Sequence, residues 1–246
     1  MLDFGATVVT GTSQSNSPYH TVSGSFTGTT WNQVQTTDVA AGALVYASGG
    51  TASGVSLNLG AAGLASSTIN LGTAPSNSGA LGSLTNTGVY ADTSVGRDGI
   101  WNGSSAASQR YVGFQVSGLS AGTYDVYVTS RNTSASVAYS QTVYLGASST
   151  AGNFDATTLS LSETVSYSGA SDDIGAWVDN GNYLKFTITL GTDQYLNLGV
   201  TGSTSEFRGF LNSVQIVAVP EPAVPVMLGL GLVLFGFRRR FRSAGV

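Results

Sequence analysis

Cysteine is absent from the 246 residues, and histidine and lysine each occur once, as His20 and Lys185. Without cysteine there is no disulfide scaffold and no thiolate metal site. One histidine cannot build a His-based zinc cage. Charge is scarce too: 9% of residues are charged, against about 25% in an ordinary soluble protein. The net charge of −4 removes the basic surface that a nucleic-acid binder needs.

Small residues fill the space. Glycine numbers 33 and serine plus threonine 62, the glycine share being roughly double the usual one. Tyrosine (11) and phenylalanine (10) are plentiful. Disordered chains are poor in aromatics and carry high net charge, so this composition points to a folded, charge-poor β protein. About 220 residues suit one large β domain.

The charges are unevenly placed. Residues 1–219 hold 5 basic and 12 acidic residues, whereas Arg238, Arg239, Arg240 and Arg242 lie in the last nine positions. An acidic body is followed by a basic tip.

Alternation marks the strands of the body. Val55, Leu57 and Leu59 alternate, as do Val112, Phe114 and Val116. The turn Ser117–Gly122 leads to Tyr124, Val126 and Val128, a hairpin in pattern. Tyr139 to Leu145 reads as a further strand. Leu184, Phe186, Ile188 and Leu190 form the cleanest period, followed by Leu196, Leu198 and Val200, then Val214, Ile216 and Ala218. Residues 60–88 fit either loop or weak strands. No window of 12 residues before 220 carries a helical period. The expected fold is all-β, an antiparallel β-sandwich or jelly roll over residues 1–218.

The end of the chain differs in kind. Pro220-Glu221-Pro222 is followed by 15 uncharged residues, Ala223 to Phe237, and then by the arginine cluster. As a helix the run spans about 22 Å, short of the roughly 30 Å hydrocarbon core. Snorkelling arginines and local thinning make up the difference. The arginines hold the tip in the cytoplasm by the positive-inside rule. The prolines separate the last strand from the helix.

This three-part tail, residues 219–246, resembles the PEP-CTERM sorting signal of Gram-negative bacteria. The resemblance rests on Pro220-Glu221-Pro222, the apolar helix with Leu228-Gly229-Leu230-Gly231-Leu232, and the terminal arginines. It implies recognition of the Pro-Glu-Pro residues by an exosortase-type enzyme in the inner membrane. Delivery to the cell surface or extracellular matrix follows from it. The family also implies a signal peptide, yet Met1 to Gly5 shows no basic and apolar leader. The expectation is a start upstream of Met1, with Leu2 to Phe4 opening the first strand. Insertion by the tail alone is the alternative.

The body offers little catalytic equipment. There is no Gly-x-Ser-x-Gly, and a Ser-His-Asp triad would need His20, which sits in a turn-like context and reads as an exposed loop residue. Lys185 lies mid-strand, with no phosphate-loop pattern around it. Glu163 and Glu206, the only glutamates of the body, read as solvated acids unless paired across a cleft. Calcium is the one metal its oxygen donors suit. Asp92 and Asp98 lie at one candidate site, without a glutamate at the twelfth position, and Asp172-Asp173 forms another. No cofactor is otherwise implied.

Binding is favoured over catalysis. The run Phe114 to Tyr127 resembles a piece common in carbohydrate-binding and galactose-binding-like jelly rolls. Trp31, Trp101 and Trp177 each neighbour Asn or Asp, a pairing that stacks on sugar rings and bonds hydroxyls when exposed, and fills core space when not. The sequence thus reads as an exported surface protein whose body binds extracellular polysaccharide. Two alternatives stand beside it: a secreted two-carboxylate glycosidase, and a purely structural or adhesive surface protein.

Overall fold

The computed structural model describes residues 1–80, 88–91, 93–104, 109–132, 137–168 and 175–220. The strands in chain order are β1 (Leu2–Phe4), β2 (Asn32–Val34), β3 (Ser56–Ala61), β4 (Thr68–Ile69), β5 (Asn77–Ala80), β6 (Asp98–Trp101), β7 (Val112–Ser117), β8 (Gly122–Thr129), β9 (Tyr139–Ser148), β10 (Phe154–Asp155), β11 (Leu161–Tyr167), β12 (Leu184–Leu190), β13 (Tyr195–Thr204), β14 (Phe210–Leu211) and β15 (Ser213–Ala218).

Alternating side chains dictate two layers. Val126 and Val128 on β8, Leu184 to Leu190 at every second position on β12, and Val214 on β15 share one buried face. Leu57, Phe114, Val143 and Leu198 do the same on β3, β7, β9 and β13. These faces meet in one apolar cluster. The first sheet has the order β12-β8-β15-β1-β2 and the second β11-β9-β13-β7-β3. From β7 onward the chain passes repeatedly between the sheets, a two-sheet sandwich as the alternation predicts. One pairing departs from the antiparallel expectation: β1 runs parallel to β2, in the register Leu2 to Asn32 and Phe4 to Val34.

Both outer faces carry further layers. Over the first sheet, outward-facing Tyr127 packs with Val9, Val89, Tyr90, Trp177 and Tyr183. Over the second, the short β4–β10 pair and the 3-10 turn Ala156–Thr158 bring Ile69 and Ala156 down. A row of glycines makes this approach possible. Gly60, Gly113 and Gly199 are register partners across β3, β7 and β13. A Cβ on Gly60 would fall 2.6 Å from Ile69, and one on Gly199 2.7 Å from Ala156. Glycine in a strand costs roughly 0.5–1 kcal/mol. Burying one side chain such as Ile69 returns about 1.5–3 kcal/mol, the same order as the three glycines cost together.

A three-strand sheet, β14-β6-β5, closes a further side. The residues 60–88, which fit loop or weak strand, supply β4 and β5 between loops, with 81–87 outside the described residues. The expected C-terminal helix over 223–237 also lies outside them. No helix among the described residues is long and apolar enough to cross a membrane.

The three apolar clusters draw only on residues between Leu2 and Val217, so residues 1–220 carry their own core. Replacing Gly199 with valine is expected to lift the Ala156 layer and cost about 1–3 kcal/mol by overpacking. Urea unfolding of the variant measures this, and an unchanged midpoint would mean that the layer does not seat on the glycine row.

Candidate functional site

At one end of the sandwich the two sheets do not close. The opening lies where β1 begins, where β7 turns into β8, and where β15 ends. The segment between β2 and β3 is drawn across it. Asn32 ties that segment down: its side-chain amide donates to the carbonyls of Met1 (2.9 Å) and Val45 (2.8 Å), and its oxygen accepts from the Val45 N–H (2.8 Å). Asp38 adds a second tie by accepting from the Leu59 N–H at 2.8 Å. On the far side Gly118 has φ +77°, and a Cβ there would collide with the Gly54 carbonyl. Only glycine makes that turn against that loop.

The result is a cavity of about 480 Å³, within the usual range for ligand sites. Buried Leu44, Leu57, Val116 and Val214 form its floor, and exposed Tyr46, Ser48, Ser120 and Ala218 its mouth. Tyr124 donates its hydroxyl to the Ser120 carbonyl at 2.7 Å. Burial, with Tyr46 beside it, raises this phenol above its ordinary value, so it stays a neutral hydrogen-bonding group. Among the described residues no Asp, Glu, Lys, Arg or His side chain lines the cavity. Met1 lines it too, and burial lowers the pKa of its amino group to about 6; the rest of the lining suits an apolar group.

The sequence-derived site residues are dispersed. Trp177 is 6% exposed and donates its indole N–H to the Asn16 side chain at 2.8 Å. Trp31 is half-buried against the same cluster and donates to the Gln14 carbonyl at 3.0 Å. Trp101 stands apart, half-buried on β6 with its ring 5.6 Å from Phe210. The first two therefore share a cluster over the first sheet, and the third belongs to the three-strand sheet.

His20 is not the exposed loop residue expected. It sits half-buried on the one-turn helix Pro18–Val22. Its Nε2–H donates to the Gly28 carbonyl (2.8 Å), so Nδ1 accepts from the Ser17 hydroxyl (2.6 Å). Burial lowers its pKa. This is a Ser–His pair in distance only. Ser17 is fully buried, and a carbonyl stands where a triad has its carboxylate.

The carboxylates differ more than expected. Glu163 is exposed on the edge strand β11. Glu206, expected to be solvated, is buried: both its oxygens accept from Arg208 at 2.7 Å, and Asn132 donates to it at 2.8 Å. Lys185 pairs with Asp125 at 2.8 Å. Asp98, read as a loop ligand, opens strand β6 and is fully buried, with the Thr7 N–H donating to its carboxylate. Asp92, Asp172 and Asp173 lie outside the described residues, as do Glu221, Pro222, Arg238, Arg239, Arg240 and Arg242; Pro220 is exposed at the end of the body. Among the described residues no group of three or more His, Asp or Glu is placed to hold a metal ion.

Two buried features escape the sequence. One is Arg131, fully buried, its guanidinium 4.6 Å from the Tyr90 ring centroid and 4.5 Å from that of Tyr167. Its position directly after β8 was the only signal. The other is Asp3. Flanked by inward Leu2 and Phe4, it faces away from the core yet is 1% exposed, with the Val9 backbone N–H as a weak partner that only partly offsets burial. Burial pushes its carboxyl up to about 8, with the Asp98 charge adding to the rise, and burial pushes Asp98 up to about 6.

No family model matches the chain, and no curated protein does. Among solved structures it is similar to TmCBM61, determined in complex with beta-1,4-galactotriose. The two are 14% identical over 50% of this chain and 72% of that one, with a TM-score of 0.26. A likeness of that size carries no argument about site or ligand.

Because Asp3 and Asp98 hold protons in the native state that the unfolded chain releases near pH 4, the native state binds more protons between those values. Their contribution to stability is full below about pH 4 and is lost as pH rises through about 6 and then about 8. Asp3→Asn is expected to flatten this fall and to melt higher than the parent at pH 8.5. Thermal melts of both chains from pH 4.5 to 9 test it, and parallel curves would show that Asp3 ionises freely in the fold.

Proposed function

We propose that this chain is an exported surface protein. Its body, residues 1–218, is a non-catalytic β-sandwich that binds polysaccharide outside the cell. Its tail, residues 219–246, is the signal by which an exosortase-type enzyme of the inner membrane sorts it to the surface or matrix of a Gram-negative bacterium.

The observation that carries the reading is the order of parts at residue 218. The core closes at Val217, the last strand ends at Ala218, and Pro220 is exposed. Pro220-Glu221-Pro222, the uncharged run and the arginines then follow in sequence. A processing enzyme needs an extended segment clear of the fold, and two prolines keep the segment extended. A binding role for the body is supported by its surface chemistry. Hydroxyl pairs such as Thr142–Thr164 and Ser140–Ser166 lie exposed on the second sheet. Such groups match neutral sugar hydroxyls, whereas the scarcity of cations offers little to a polyanion.

Replacing Pro220-Glu221-Pro222 with three alanines is expected to stop processing and surface delivery in the native host. Blotting the cell fractions reads this, and delivery at the parental level would reject the sorting role. The polysaccharide role is tested separately by affinity electrophoresis of residues 1–220 through gels containing neutral host polysaccharide. Retarded migration is expected; mobility equal to that in a blank gel would remove this role.

A further inference from the structure

Sandwich interiors pack as densely as organic crystals, with few voids larger than a water molecule. The open end of this sandwich breaks that rule with about 480 Å³ of space. Sugars need several convergent polar partners, and this space has few. The Asn32 amide is already bonded on both sides, and the Tyr124 hydroxyl is bonded to Ser120. The floor is aliphatic, and among the described residues no charged side chain reaches it. The ligand that fits is an unbranched apolar chain.

The position of the mouth identifies the source. Ala218, the last residue of β15, is on the rim. Only Val219 to Pro222 separate it from Ala223, where the uncharged run begins. Four residues reach at most about 14 Å. With residues 223–237 in the bilayer, as the proposed sorting role requires, that connection keeps the body within reach of the membrane surface. The rim suits that surface. It has no carboxylate, and it presents Tyr46 at 55% exposure, a residue type enriched at the membrane–water boundary.

We infer that the cavity takes up one acyl chain of a membrane phospholipid, seating the body on the bilayer beside its own tail. The source of the lipid rests on the proposed sorting role of the tail; the apolar cavity does not. Seated in this way, the Pro-Glu-Pro segment would be held at the height of an intramembrane processing enzyme.

The test uses the full chain in nanodiscs of phosphatidylethanolamine and phosphatidylglycerol, doped with a phospholipid bearing a diazirine near its acyl terminus. After irradiation, adducts are mapped by mass spectrometry. Adducts are expected on the peptides holding Leu44, Leu57 and Val116, and on residues 223–237. Ala52→Phe, which fills the wall of the cavity, is expected to cut the body adducts at least fivefold and leave the tail adducts unchanged. Ala47→Phe, nearer the rim, serves the same purpose should the first variant fail to fold. Tail adducts without cavity adducts overturn the proposal and leave the sorting role standing. Cavity adducts without tail adducts support the acyl site and count against the membrane role of the tail. Body adducts that persist undiminished in a folded, filled variant overturn the proposal.

Discussion

Phe4 on β1 and Phe114 on β7 stack across the two sheets, with ring centroids 5.7 Å apart and planes 19° from parallel. Much of the molecule is arranged around that contact. It fixes β1, three residues long, between β15 and β2. With Phe4 inward, alternation sends Leu2 inward as well, and Leu2 becomes part of the cavity wall. The same alternation turns Asp3 to the other face, where the following residues bury it with Asp98. Gly5, at φ +131°, lets the chain pass over the Asp98 carboxyl; a Cβ there would overlap it. One short strand thereby links the core, the buried carboxylates and the open end.

The two sheets were legible wherever a strand had one buried and one outward face. β12 follows an alternation visible in the sequence because half-burial imposes a period of two; β7 and β13 are buried on both faces, and their alternation is of large apolar residues with Gly, Gln and Asn. The layers outside the sheets were not legible. β4 and β10 have two residues each, too few for any period, and the layer docks where Gly60 and Gly199 leave room for Ile69 and Ala156. The parallel pairing of β1 with β2 has no local signature either, since it depends on what each strand meets in three dimensions.

Site chemistry was legible in outline and not in placement. Composition left one histidine to consider, and the fold holds it between a buried serine and a carbonyl. Asp98 lay in a stretch of alternating oxygen donors, but its strand carries it into the interior. Glu206 looked solvated because Arg208, its ion-pair partner, gives no sign in sequence that both will be enclosed. The cavity could not be foreseen at all. Its walls come from stretches far apart in the chain, among them Met1–Leu2, Leu44–Leu57, Val116–Tyr124 and Val214–Ala218.

These features describe a charge-poor body joined by four residues to a tail of a different composition. The account stands or falls on the tail being a processed address. The most direct measurement is the C-terminal peptide of the mature protein, recovered from the surface fraction of the native host and identified by mass spectrometry. A chain that ends at or near Pro220-Glu221-Pro222, with the body intact through Ala218, is the expected result. A mature surface protein that still ends at Val246 would contradict it.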